Sequence, residues 1–196
     1  MIEVGYQLTK DIDWFCIING YPVHVASNGG RLPNFIQYHR QLFESQRRAS
    51  IIPGNLDFEV NRRIEFNRDD EIESLGESFY EYFPEANNLF GDNEFNNTQK
   101  AYYWSFVMMA KKGFYSFDKV KTGEFDTQSR LVAWPKCKYK CNLKCDCMLF
   151  YQRYMFDFLR SEGLFVHISS INMSNINSLY SIDLVQKINE AYIGHQ

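Results

Sequence analysis

The chain has 196 residues, a formal net charge of −3, 45% hydrophobic residues and an aromatic share of 17%. A chain this long buries roughly 70% of its unfolded surface, so folding requires neither a metal nor a disulfide. The acidic balance excludes a global pull toward nucleic acid.

The opening MIEVGYQLTKDID has neither the basic start nor the apolar segment of a secretory signal. The longest apolar runs, Ala101–Ala110 and Met148–Tyr151, fall short of a membrane span. Five cysteines, an odd number, fit a reducing compartment. The expectation is a cytoplasmic protein with no membrane partner.

In chain order, Asp11–Ile18 and Tyr21–Ala26 flank Asn19-Gly20, a strong two-residue hairpin signal. That turn pairs Ile18 with Tyr21, Cys16 with Val23 and Trp14 with Val25. These six share one apolar face, expected to be the buried one, with Phe15 and His24 paired on the other. Ser27-Asn28-Gly29-Gly30 breaks the strand.

A helix is predicted from a cap at Asn34 to about Arg48, with Phe35, Ile36, His39, Leu42 and Phe43 as its apolar stripe. Asp57–Phe66 alternates as a strand. A second helix is expected over Asp70–Phe83, with Asp69, Asp70 and Glu71 at its start, where the helix dipole favours acids. Its Glu73, Glu77 and Glu81 fall four apart, along one stripe.

A third helix, about Thr98–Lys112, is apolar almost all round and reads as central and buried. Phe114–Val120 and Arg130–Trp134 read as strands about a Thr122-Gly123 turn. Met148–Arg160 reads as a helix with a polar stripe of Arg153, Asp157 and Arg160. Leu164–Ser169 reads as a strand and Ser178–Tyr192 as a final amphipathic helix. Consecutive hairpins favour α+β over a doubly wound parallel sheet. The expected architecture is one α+β domain over residues 1–196, with an N-terminal β-hairpin, a mixed or antiparallel sheet and about five helices.

The sharpest chemical signal is the run CKYKCNLKCDC, which carries Cys137, Cys141, Cys145 and Cys147. In a helix, Cys137 and Cys145 would lie roughly 12 Å apart along the axis. Thiolates sharing a zinc lie roughly 4 Å apart, given Zn–S bonds of about 2.3 Å. A four-cysteine metal site therefore needs a looped segment, which Pro135 and Asn142 permit. The first spacing, C-x3-C, suits a zinc pair, whereas the final C-x-C is tight. Structural zinc is the metal reading. Four reduced thiols are the plain alternative and redox chemistry the third. Lys136, Lys138, Lys140 and Lys144 stabilise thiolate in every case.

Four histidines remain. His24 is in diagonal reach of Asp13 across the hairpin, and such a pair can orient a general base. Sequence places no nucleophile beside it, since Cys16 points to the other face. His39 reads as a core or boundary residue, His167 as structural and His195 as solvated. Asn28-Gly29-Gly30 lacks the lysine and spacing of a phosphate loop and reads as a turn.

Charge is unevenly spread. From Asp57 to Glu94, 12 acids stand against 3 arginines, a balance of −9. From Lys111 to Lys144, 9 bases stand against 3 acids, a balance of +6. Either these are solvated surfaces of one domain facing each other, or they dock a charged partner or a second copy. Tyr115, Phe117, Trp134 and Tyr139 lie among the bases, as in single-strand nucleic-acid binders. One arginine and no RNA-binding signature weigh against that reading.

The sequence reading is a binding or accessory protein acting through these charged surfaces, with the cysteine loop as a structural element. The rival is a small enzyme using His24 and Asp13, or a thiol of the cysteine run.

Overall fold

A computed structural model describes residues 1–36, 38–64, 89–90, 95–120, 128–136, 150–173 and 182–193. The predicted acidic helix, the Thr122-Gly123 turn and the cysteine run lie outside the described residues.

The described helices are α1 (Val4–Thr9), α2 (His39–Ser50), α3 (Asn97–Lys111), α4 (Phe150–Ser161) and α5 (Leu184–Ile193). The strands are β1 (Asp13–Ile18), β2 (Tyr21–Ala26), β3 (Asp57–Val60), β4 (Tyr115–Lys119), β5 (Gln128–Lys136), β6 (Phe165–Val166) and β7 (Ile182–Asp183). All seven strands join one mixed sheet of order β3-β5-β4-β2-β1-β6, with β7 paired to β5. The β2–β4 and β1–β6 pairs are parallel and the others antiparallel. The class is α+β. Among the described residues no helix is long and apolar enough to cross a membrane.

The hairpin register is the predicted one: Ile18 opposite Tyr21, Cys16 opposite Val23, Trp14 opposite Val25 and Phe15 opposite His24. Asn19 (φ 52°) and Gly20 (φ 87°) make the turn, the left-handed pair that a tight hairpin demands. The Asn19 side chain also accepts from Ile168 N and donates to the Ile168 and Ile171 carbonyls.

The expectation of one buried face is corrected. Phe15 and His24 are as buried as Trp14, Cys16 and Val23. The reason is a second layer: Phe114 packs on Phe15 and Phe106 of α3 on His24, so the face opposite Trp14, Cys16 and Val23 is covered as well.

Helix α2 starts at His39, not Asn34. Phe35 and Ile36 are buried from the loop before it. Its inner face is Gln41, Leu42, Ser45 and Ala49, while His39 and Phe43 point to solvent. The predicted core or boundary role of His39 thus fails: the inward face is set by Gln41, Leu42, Ser45 and Ala49, and His39, in the first turn, is exposed.

Helix α3 opens on a capping box. Asn96 Oδ1 accepts from Gln99 N, and Gln99 Oε1 accepts from Asn96 N, which satisfies two end amides. The helix lies over β3, β4 and β5. Tyr103, Phe106, Val107 and Ala110 face inward, but Ser105 is exposed. It is a cover for the sheet, not the all-round buried helix expected. On α4, Met155, Phe158 and Leu159 are buried, and Arg153, Asp157 and Arg160 form the predicted polar stripe. Leu164, Val166 and Ile168 are buried while His167 is exposed, the alternation of an edge segment.

Candidate functional site

The sheet places two rows of residues under α3. The first runs Phe15–His24–Ser116–Ala133 across β1, β2, β4 and β5. The second, two residues further along each of β1, β2 and β4, runs Asp13–Ala26–Asp118–Arg130. A register shift between Ser116 and Phe117 keeps Arg130 on the same face. Side chains two apart on a strand share a face, so the polar members of both rows converge.

His24 is the centre of the first group. Its Nδ1 lies 2.7 Å from Ser116 Oγ, and its Nε2 lies 3.1 Å from Asp13 Oδ1. The second contact has the distance of an ion pair but not the alignment of a hydrogen bond, and Nε2 finds no aligned partner. With the proton on Nε2 facing the carboxylate, Nδ1 of a neutral ring accepts from the Ser116 hydroxyl. Phe15 and Phe106 flank the ring, with centroids at 5.2 and 6.4 Å. Burial alone would raise the Asp13 carboxyl, but the nearby His24 more than offsets this and holds it below its ordinary 3.8.

Sequence brought His24 and Asp13 together, and the structure agrees. It did not find Ser116, because the β2–β4 pairing spans 92 residues of chain. The composition resembles a serine–histidine–aspartate set, but the access is inverted. Ser116 is fully enclosed and His24 is 2% exposed, whereas the Asp13 side chain is 46% exposed. A nucleophile must meet substrate. Here solvent meets the carboxylate and the hydroxyl sits at the sealed end.

The second group is Tyr102, Asp118 and Arg130. The Tyr102 hydroxyl donates to Asp118 Oδ2 at 2.6 Å and accepts from Arg130 at 3.1 Å. Arg130 also lies 3.9 Å from Asp118 Oδ2. Burial raises the Asp118 carboxyl, against the lowering effects of Tyr102 and Arg130. Next to it, burial pushes the Tyr103 hydroxyl up to about 12, and that hydroxyl donates to Asn61 O.

A different kind of site lies at the β3 end of the sheet. The acidic and basic segments meet there, with Asp57 opposite Lys136 and Glu59 opposite Trp134. Glu59 accepts from Trp134 Nε1 at 3.0 Å, and its other oxygen lies 3.4 Å from Lys136 Nζ. A cavity of about 380 Å³ opens beside them, lined by Phe58, Glu59, Val60, Arg62, Leu89, Phe90, Phe95 and Lys136. Several bases of the basic segment serve the fold itself. Lys119 is buried, Lys112 donates to the Ala49 and Ser50 carbonyls, and Arg130 joins the Tyr102 group.

The proposed zinc ligands, Cys137, Cys141, Cys145 and Cys147, fall outside the described residues. Among the described residues no three His, Cys, Asp or Glu side chains are grouped to hold a metal. Cys16 is fully buried and its thiol is pushed up by that burial.

No protein-family model, curated protein or solved structure matches this chain.

Proposed function

We propose that this protein acts by binding a charged partner at the β3–β5 edge, and not by covalent catalysis at His24. The observation that carries the reading is the cavity where Glu59, Arg62 and Lys136 stand among aromatic rings. Small-molecule sites combine apolar walls with a few placed polar groups, and this cavity has that make-up. The enclosed Ser116 supports the same choice, since a sealed hydroxyl cannot attack a substrate. The cysteine run enters as a structural zinc loop, in keeping with its place directly after β5.

Thermal melts with a panel of acidic peptides, basic peptides and small organic ions test the reading. A ligand that binds only the folded state raises the melting temperature, and an ionic one does so less at high salt. We expect such a salt-sensitive rise with at least one class. The opposing measurement is hydrolysis of an activated ester. Turnover abolished by Ser116→Ala would overturn the binding reading in favour of an enzyme.

A further inference from the structure

We propose that the outward face of α2 docks the acidic segment Asp69–Phe83 of a second copy of this chain. Helix α2 packs on β1 and α4, and this surface shares no residue with the β3-edge cavity. The helix turns Gln41, Leu42, Ser45 and Ala49 inward, which leaves His39, Arg40, Phe43 and Arg47 in solvent. Phe43 is 68% exposed, and Tyr6 on α1 is 46% exposed. The Tyr6 ring meets the His39 ring edge-on, with centroids 5.5 Å apart. Phe43 stands one turn beyond His39 on the same side of the helix. Tyr6, His39 and Phe43 thus form a continuous aromatic strip. Scattered exposed rings need no explanation, whereas a contiguous patch marks an interaction site. Aromatic and arginine side chains are the ones enriched where proteins meet.

The strip is bordered by positive charge. Arg40 and Arg47 lie three residues before and four residues after Phe43, the spacings that bring helix side chains together. Glu44 is the one acid of α2, and it is taken up twice, by Arg47 at 2.8 Å and by Arg48 at 2.6 Å. Arg40 has no ion-pair partner among the described residues. Three arginines against one glutamate give α2 a net charge of +2, so the complementary surface is acidic. A membrane fits less well. The other apolar residues of α2 face the core, whereas an interfacial helix gives a whole apolar face to lipid. The chain itself carries a matching partner. Asp69–Phe83 has six acids and no base, together with Phe79, Tyr80, Tyr82 and Phe83. Its acids answer the arginines and its rings answer the strip. Exchange between two copies makes the contact twice, because a two-fold interface repeats each pairing.

Sedimentation velocity of the whole chain, across protein concentration and salt, tests this. We expect a monomer–dimer equilibrium below about 1 mM protein that moves toward monomer as salt screens the exposed charges. Phe43→Ser and Arg40→Glu should each weaken the dimer about tenfold or more, as should Glu73→Gln/Glu77→Gln/Glu81→Gln. Phe43 and Arg40 are exposed, so these two variants should fold, and a thermal melt verifies it. A synthetic peptide of residues 69–83 should dissociate the wild-type dimer. A monomer at every concentration would overturn the inference, as would wild-type dimer affinity in either folded α2 variant or in the acidic one. Equal competition by poly-glutamate would make any acidic chain the occupant. Phe43-dependent binding of the monomer to phosphatidylserine vesicles would make it a membrane. Either result would remove the second copy from this face.

Discussion

His24 and Ser116 meet across the parallel pairing of β2 with β4, Nδ1 to Oγ at 2.7 Å. Neither side chain reaches solvent, so each depends on the other for its hydrogen bond. A buried polar group left without a partner costs about 1–3 kcal/mol, whereas removing both partners together costs much less. Ser116→Ala should therefore destabilise the fold by about 1–3 kcal/mol. In the double variant His24→Phe/Ser116→Ala, a phenyl ring replaces the imidazole between Phe15 and Phe106 at the expense of the Asp13 contact, so the loss should be smaller than the sum of the two single losses. Urea denaturation of the two single variants and the double gives the coupling directly. Additive losses would mean that the contact does not hold the two side chains as a pair.

Two carboxylates on this sheet face pull the pH dependence of stability in opposite directions. Asp13 is held below its ordinary 3.8 by His24 once the opposing effect of burial is offset. Its stabilising contribution is present above the unfolded value and is lost as pH falls through the lower folded value. Asp118 is raised, chiefly by burial. It favours folding below its unfolded value, and that advantage is lost as pH rises through the folded value. Melting curves across the acid range should show Asp13→Asn flattening the acid-side loss. Asp118→Asn should flatten the decline on the other side. The same slope change in both variants would contradict the opposed assignments.

Local chemistry was legible in the sequence, and long-range pairing was not. Asn19-Gly20 fixed the register of β1 against β2 because a two-residue turn leaves no slack. The Asp13–His24 contact followed from that register. Ser116 was invisible because its partner strand lies 92 residues away, and no local period encodes which strands become neighbours. The same gap hid the burial of Phe15. Alternation marks an inner face but does not say whether a second layer covers the outer one. The start of α2 was misplaced because Asn34 is a good cap by type, yet it lies in a loop tied to α5 through its backbone N–H, which donates to Asn189 Oδ1, and the helix begins only at His39. The ends of the acidic and basic segments meet at β3 and β5, and the aromatic cavity beside them was not legible, since its walls come from three separated stretches of chain.

Cys16 offers a clean reading of the other four cysteines. It is fully enclosed, and burial raises its thiol, so the thiolate that reacts with disulfide reagents is not available. In folded protein it should stay unmodified, and Cys16→Ser should leave the native thiol count unchanged. The native count then reports Cys137, Cys141, Cys145 and Cys147 alone. If they hold zinc, as proposed, elemental analysis should find the metal and chelation should raise the count. A native count that drops in Cys16→Ser would contradict the enclosed position.

One substitution should act with opposite sign at two glycines. At Gly30 an added Cβ would lie 2.8 Å from the Ser27 carbonyl oxygen and 3.0 Å from Lys119 Nζ. That carbonyl already accepts from Gly30 N at 2.8 Å, so the turn has no room to shift without breaking its own bond. The lysine tip can swing aside, but the backbone oxygen cannot. Gly30→Ala should then cost about 1–3 kcal/mol, the usual range for overpacking a tight site. Gly5, within α1, has nothing within 4 Å of its added Cβ. There, alanine removes freedom from the unfolded chain and suits the helix, so Gly5→Ala should stabilise by about 0.4–1 kcal/mol. Thermal or urea denaturation of the two variants beside wild type decides the matter. A neutral Gly30→Ala would show that the close approach of Ser27 does not constrain the turn after β2. A destabilising Gly5→Ala would show that α1 does not hold the open helical backbone on which the predicted gain depends.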